Sequence, residues 1–215
     1  MTRKLRPLLL KDFDSLPCAC PGCAFWESDT SLEAMCGAVC DKNLATERYG
    51  EISREWGESG RVAVEDDELL GFIRYAPPGY FPQSRHFASG PASPDAVLLT
   101  CIHIRDDARR HGLGSLLLRA ALRDLVSRGE RTVQAFAGAV PGSDMALQPV
   151  IGVEFLLRNG FNVARPHPSY PLMELDLRSI AKWAENLESV LQSLRIPLRA
   201  PTPVPTPMRI KEPHR

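Results

Sequence analysis

The sequence predicts an α/β domain over residues 1–196, a mixed sheet with helices on its faces. Three observations predict it. Apolar runs of strand length and amphipathic helical stretches follow one another in the order β-α-β-β-β-α-β-α-β-β. The chain has 215 residues, of which 44% are hydrophobic and 24% charged, enough apolar material for one sizeable core. One helix opens on two glycines directly behind a cluster of arginines, 104-IRDDARRHGLGSLLLR-119.

In chain order, KLRPLLL reads as the first strand. A Cys-rich insertion at 17–28 follows, then a helix, in one piece or broken, over 31–57 that Gly57 ends. The segment 61-RVAVEDDELLGFIRYA-76 carries two apolar runs around Asp66 and Asp67, the signal of an antiparallel hairpin. Residues 77–94 are too rich in Pro, Gly and Ser for regular structure, and a loop this long in a compact domain often serves function. VLLTCIHI (97–104) is an apolar strand. Residues 113–128 form a helix with Leu118, Ala121, Leu122 and Leu125 on one stripe. TVQAFA is the next strand, PVIGVEFLLRNGF holds a helix closed by Gly160, and NVAR and LMELDL form a last strand pair. An extra helix at 179–195 presents Ile180, Trp183, Leu187, Leu191 and Leu194 on one face, to dock on its own domain or on a second copy, so monomer and homodimer both stay open. Residues 197–215 are Pro-rich and basic, the composition of a disordered tail.

Lys plus Arg equals Asp plus Glu at 26 each, so no global field draws the chain to nucleic acid or to an acidic membrane. No apolar run approaches the ~20 residues of a membrane span, and three leucines before Lys11 and Asp12 are too few for a secretory signal. The expected location is the cytoplasm, where six cysteines stay reduced.

Gly112 and Gly114 cost helix stability, so bare backbone must serve a purpose there. A helix start offers unpaired N–H groups and about half a positive charge, and Arg109, Arg110 and His111 add donors beside it. That combination suits a diphosphate. The third glycine of G-x-G-x-x-G is replaced by Leu117, and G-x-x-x-x-G-K-[ST] is absent, which weakens dinucleotide and P-loop readings.

The run 109-RRHGLG-114 matches R/Q-x-x-G-x-G/A, and with it the chain resembles the GNAT N-acetyltransferases. The resemblance covers roughly residues 5 to 177 in element order, including the acidic turn before LLGFIRY and the F-x(4)-G-F ending 155-FLLRNGF-161. It implies a GNAT acyl-CoA N-acyltransferase fold with a mostly antiparallel central sheet, and acetyl-CoA as co-substrate. Arg109, Arg110, His111, Gly112, Leu113, Gly114 and Ser115 would wrap the pyrophosphate. The main chain of Ile102 and Ile104, with His103 between them, would line the pantetheine arm, the strand splaying from TVQAFA. A backbone N–H near Ile102 or Ile104 would polarise the thioester carbonyl. The implied reaction is direct transfer of an acetyl group to a primary amine of a small molecule or protein, the alternative being a CoA-binding sensor that has lost catalysis.

The family often carries a tyrosine acid in N-x-x-A-x-x-F-Y, where this chain has Pro149, Gly152, Phe155 and Leu156. Tyr170 and His167, in 165-RPHPSYP-171, are the candidates to replace it, the alternative for Tyr170 being a rim aromatic. His103 fits a structural role or a base, and period-two alternation sets it on the face opposite Ile102 and Ile104. Trp26, Tyr75, Tyr80 and Phe81 are candidates for a stiff apolar substrate wall, or for core packing. Cys18, Cys20 and Cys23 with Cys36 and Cys40 raise structural zinc, but their spacing is irregular and Cys36 and Cys40 also fit a buried helical stripe, so no metal ligand is assigned.

Overall fold

The computed structural model describes residues 3–16, 22–30, 41–138 and 150–178. Eight strands form one sheet: β1 (Arg3–Pro7), β2 (Gly60–Glu65), β3 (Glu68–Ala76), β4 (Val97–Ile104), β5 (Thr132–Gly138), β6 (Ile151–Gly152), β7 (Asn162–Arg165) and β8 (Leu172–Asp176). Their order is β1-β2-β3-β4-β5-β8-β7, with β6 added to β5. β4–β5 and β5–β6 are parallel, and the remaining pairs are antiparallel, the β2–β3 hairpin signalled by the sequence among them. Asp66 and Asp67 turn the β2–β3 hairpin with φ of 48° and 67°. Two left-handed residues in succession match the right-handed twist of the strands they join.

Helices α1 (Lys42–Glu55) and α2 (Leu113–Ser127) cover opposite faces of the sheet. The predicted stripe of α2 is the buried one: Leu118, Ala121, Leu122 and Leu125, joined by Leu117, pack on Ile73, Val97, Leu99 and Val133. Each buried leucine contributes ~1.5–3 kcal/mol. On the other face Ala45, Tyr49 and Ile52 of α1 and the pair Phe25–Trp26 meet Phe72, Leu98 and Phe136.

Three elements are more definite than the sequence reading. The helix expected over 31–57 is described from Lys42, where Asp41 caps it by accepting the N–H of Leu44 at 3.0 Å; residues 31–40 lie outside the described set. The loop at 77–94 holds two 3-10 turns, Pro78–Tyr80 and Pro82–His86, each started by a proline whose fixed φ suits that position. The helix held within 149–161 is α3 (Val153–Arg158), and Gly152 just before it is extended, with φ −66° and ψ 138°. The extra helix at 179–195, the tail at 197–215 and most of the insertion at 17–28 also fall outside the described residues.

Two polar clusters fasten the layers. Asp124 of α2 accepts Tyr75 Oη at 2.7 Å and Arg61 Nε at 2.5 Å, tying β2 and β3 to the helix. Asp124→Ala is expected to lower unfolding stability by ~1–3 kcal/mol, read as a shift in the urea midpoint, because it orphans two donors at once. On the opposite face Arg74 and Glu27 form a buried pair at 2.6 Å, side chains 5% and 1% exposed. Phe13, Tyr49 and Phe81 surround the Arg74 guanidinium at 5.6–5.9 Å.

Candidate active-site cleft

β4 and β5 pair only at Val97–Val133 and Leu98–Gln134, then part. The divergence starts beside an irregularity in β4: Tyr75 faces Leu99 and Arg74 faces Cys101, so Thr100 is an extra residue on that strand. Such a bulge bends a strand and increases its twist. Beyond it, the N–H of Arg105 donates to Leu70 O at 2.8 Å. Alternation along an antiparallel pair then turns the N–H and C=O of Ile102 and Ile104 away from β3, into the gap. β6, pairing with the last residues of β5, forms the opposing wall.

The gap opens into a cleft of about 780 Å³. β4 contributes Ile102, His103 and Ile104; the following turn and α2 contribute Arg109, Arg110, Gly112, Leu113, Gly114 and Ser115. Val150, Ile151, Gly152, Phe155, Arg158 and Asn159 line the far side. Gly112 is the N-cap of α2 with φ +75° and supplies no side-chain cap, so the N–H groups of Leu113, Gly114 and Ser115 have no partner within the helix. A side chain at 112 would meet nothing within 4 Å, whereas a Cβ at 114 would stand 3.3 Å from Phe155. Gly112 therefore answers to backbone conformation and open space, and Gly114 to close packing of α2 on α3.

The turn differs in detail from expectation. Arg109 is folded onto its own loop, its Nε donating to Ile104 O at 3.0 Å and its guanidinium pairing with Asp106 at 3.0 Å. That engages the carbonyl of Ile104 and leaves its N–H facing the gap. His111 is exposed and is not among the residues lining the cleft.

His103 lies on the face predicted for it, stacked on Phe72 with ring centres 5.2 Å apart, and still borders the cleft edge. It also lines a recess of about 20 Å³ on the other side of β4, with Arg74, Cys101, Cys23 and Trp26. Burial first, then the charge of Arg109, push its imidazolium down to about 4 from the ordinary 6.5. Between those values the unfolded chain takes up a proton that the folded chain refuses, so stability falls as pH drops from 6.5 to 4. Denaturant midpoints measured across that window should decline for the wild type, and less steeply for His103→Gln.

Three of the four expected substrate-wall aromatics are core residues, which corrects that reading: Tyr75, Phe81 and Trp26 are 0%, 1% and 2% exposed. Tyr75 points to the α2 face, where Asp124 holds it, and Trp26 and Phe81 pack with Phe87 and Phe136. Tyr80 is half-buried, its Oη donating to Glu55 at 2.8 Å. Tyr170 and His167 do not line the cleft; the Tyr170 ring packs edge-on against Phe87, and His167 Nδ1 accepts the N–H groups of Ser169 and Tyr170. Leu156, at the position where the family often carries its tyrosine acid, is fully buried. Burial drives the Cys101 thiol up to about 12, away from nucleophilic use. Cys18, Cys20, Cys36 and Cys40 lie outside the described residues, and among the described ones no three His, Cys, Asp or Glu side chains group as metal ligands. The far wall from Val150 to Asn159 was hidden in the sequence, because it begins with a two-residue strand, too short to show a period, directly ahead of α3.

A parallel strand pair that parts at an uncapped helix start is an arrangement suited to an extended, anionic ligand. The chain belongs to the GNAT acetyltransferase family, whose model, described as "Acetyltransferase (GNAT) family", matches residues 26–145. No curated protein matches it in sequence. Among solved structures, it resembles an N-acetyltransferase from Staphylococcus aureus Mu50 (18% identity, TM-score 0.55, covering 82% of this chain and 99% of that one). It also resembles the loading GNATL domain of CurA from Lyngbya majuscula (15%, 0.54, 83% and 100%) and Ard1 from Thermoplasma volcanium (17%, 0.52, 82% and 98%). At these identities the likeness is one of fold, and it extends to the mixed eight-stranded sheet flanked by helices. Among the described residues no helix is long and apolar enough to cross a membrane.

Proposed function

We propose that the protein moves an acetyl group from acetyl-CoA to a primary amine of a small molecule or protein, by direct attack and without a covalent enzyme intermediate. The observation that carries this reading is the pairing, in one cleft, of outward-facing β4 backbone with the uncapped start of α2. The three first-turn N–H groups and Arg110 suit a diphosphate, and the open space at Gly112 lets it approach the backbone. The N–H groups of Ile102 and Ile104 suit an extended amide-bearing arm in the manner of an added strand. Acetyl-CoA supplies the thioester carbonyl when bound. The chain's own part is to orient that carbonyl toward a β4 N–H, hold the diphosphate and exclude water along the apolar wall of Ile102, Ile151 and Phe155.

Calorimetric titration with CoA tests the site, and thiol release from acetyl-CoA across a panel of primary amines tests the reaction. Micromolar CoA binding with amine-dependent release is expected. Tight CoA binding with no turnover on any amine would instead favour a CoA sensor, the reading that the buried Leu156 motivates.

A further inference from the structure

Cations face the cleft from two walls. On the near wall Arg109 is engaged by Ile104 O and Asp106, so Arg110 and the α2 N–H groups are what remains for one diphosphate. On the far wall stands Arg158, in the last turn of α3. Its guanidinium is 3.9 Å from Glu154, beyond hydrogen-bond distance, with both side chains largely exposed. Arg158 follows Phe155 by three residues and so shares its helix face, and Phe155 is the ring that abuts Gly114. Arg158 therefore stands about one helical turn past the residue by which α3 touches the diphosphate-suited start of α2, and its side chain lines the same cleft.

We propose that Arg158 forms a second anion subsite that reads a phosphomonoester on the donor, the ribose 3′-phosphate, and so makes the protein specific for acyl-CoA over donors lacking that group. Dephospho-CoA and an acyl group on a carrier protein's phosphopantetheine are such donors. The inference rests on the reading of the cleft as a CoA site. A planar guanidinium takes a phosphate through two parallel N–H donors, and a phosphomonoester carries nearly two negative charges at neutral pH. One loosely held carboxylate, Glu154, is a weak competitor for that contact.

The test is calorimetric titration of the full chain with CoA and with dephospho-CoA, for the wild type, Arg158→Gln and Arg158→Lys. The wild type should bind CoA about tenfold more tightly than dephospho-CoA, the scale of one charge-assisted contact. Arg158→Gln should lose that preference by weakening CoA alone, and Arg158→Lys should keep part of it. Equal wild-type affinity for the two ligands overturns the inference by itself, as does a variant that weakens both equally. Wild-type protein that binds neither overturns the CoA reading of the cleft and this inference with it.

Discussion

Gly112→Val is expected to weaken CoA binding by about a hundredfold or more, since two or more charge-assisted N–H contacts at ~1.5–3 kcal/mol each would be blocked. The open space around Gly112 faces the cleft, so the isopropyl group would stand where an anion approaches the α2 backbone. The same substitution forces a β-branched residue into φ +75°, at a folding cost of ~1–2 kcal/mol. Binding should therefore fall far more than stability. Calorimetry with CoA, paired with thermal unfolding of the free protein, separates the two. Affinity that follows the modest stability loss, and no more, would show that the helix start does not hold the ligand. Gly114→Val should destabilise by a different route, through Phe155, because a Cβ there stands 3.3 Å from that ring.

Glu27→Ala carries the largest expected effect on folding, a loss of ~3–5 kcal/mol, because it leaves the Arg74 guanidinium buried without its counter-charge. The aromatic rings around Arg74 attract a cation but do not replace a carboxylate. The double replacement Glu27→Leu with Arg74→Met should recover much of the loss, since a buried pair exchanged for apolar groups of similar volume is often neutral. Urea unfolding of the two single variants and the double one reads this as a cycle. If both singles lose under ~1 kcal/mol, the pair is not buried in solution as the structure has it.

Much of the fold was legible. Apolar runs of strand length located β1 to β5, β7 and β8, and the leucine stripe of α2 marked its buried face. The glycine-led turn was legible for a physical reason, since a left-handed residue at a helix start and a missing side chain both leave a mark in sequence. β6 left none: a single Ile-Gly step cannot display a period, and its role depends on where β5 ends. For Tyr75, Phe81 and Trp26 core packing, the other reading open to them, is what the structure has: an aromatic looks alike in sequence whether it faces solvent or core, and burial is decided by partners far away in the chain. His103 was placed on the correct face by alternation, but its reach to the cleft edge follows from the gap that opens beyond Leu98.

The Thr100 bulge also has a mechanical meaning. β1 to β4 form one half-sheet, and β5, β7 and β8 another, with two residue pairs of strand-to-strand bonding across the β4–β5 seam. The seam behaves as a short zip fastener left mostly undone, its upper edge presenting the N–H groups of Ile102 and Ile104 to the gap. A ligand seated there, as proposed, would act as the missing row of teeth. It would stiffen the molecule across this seam, and amide protons of β4 and β5 near it would report its arrival by exchanging more slowly.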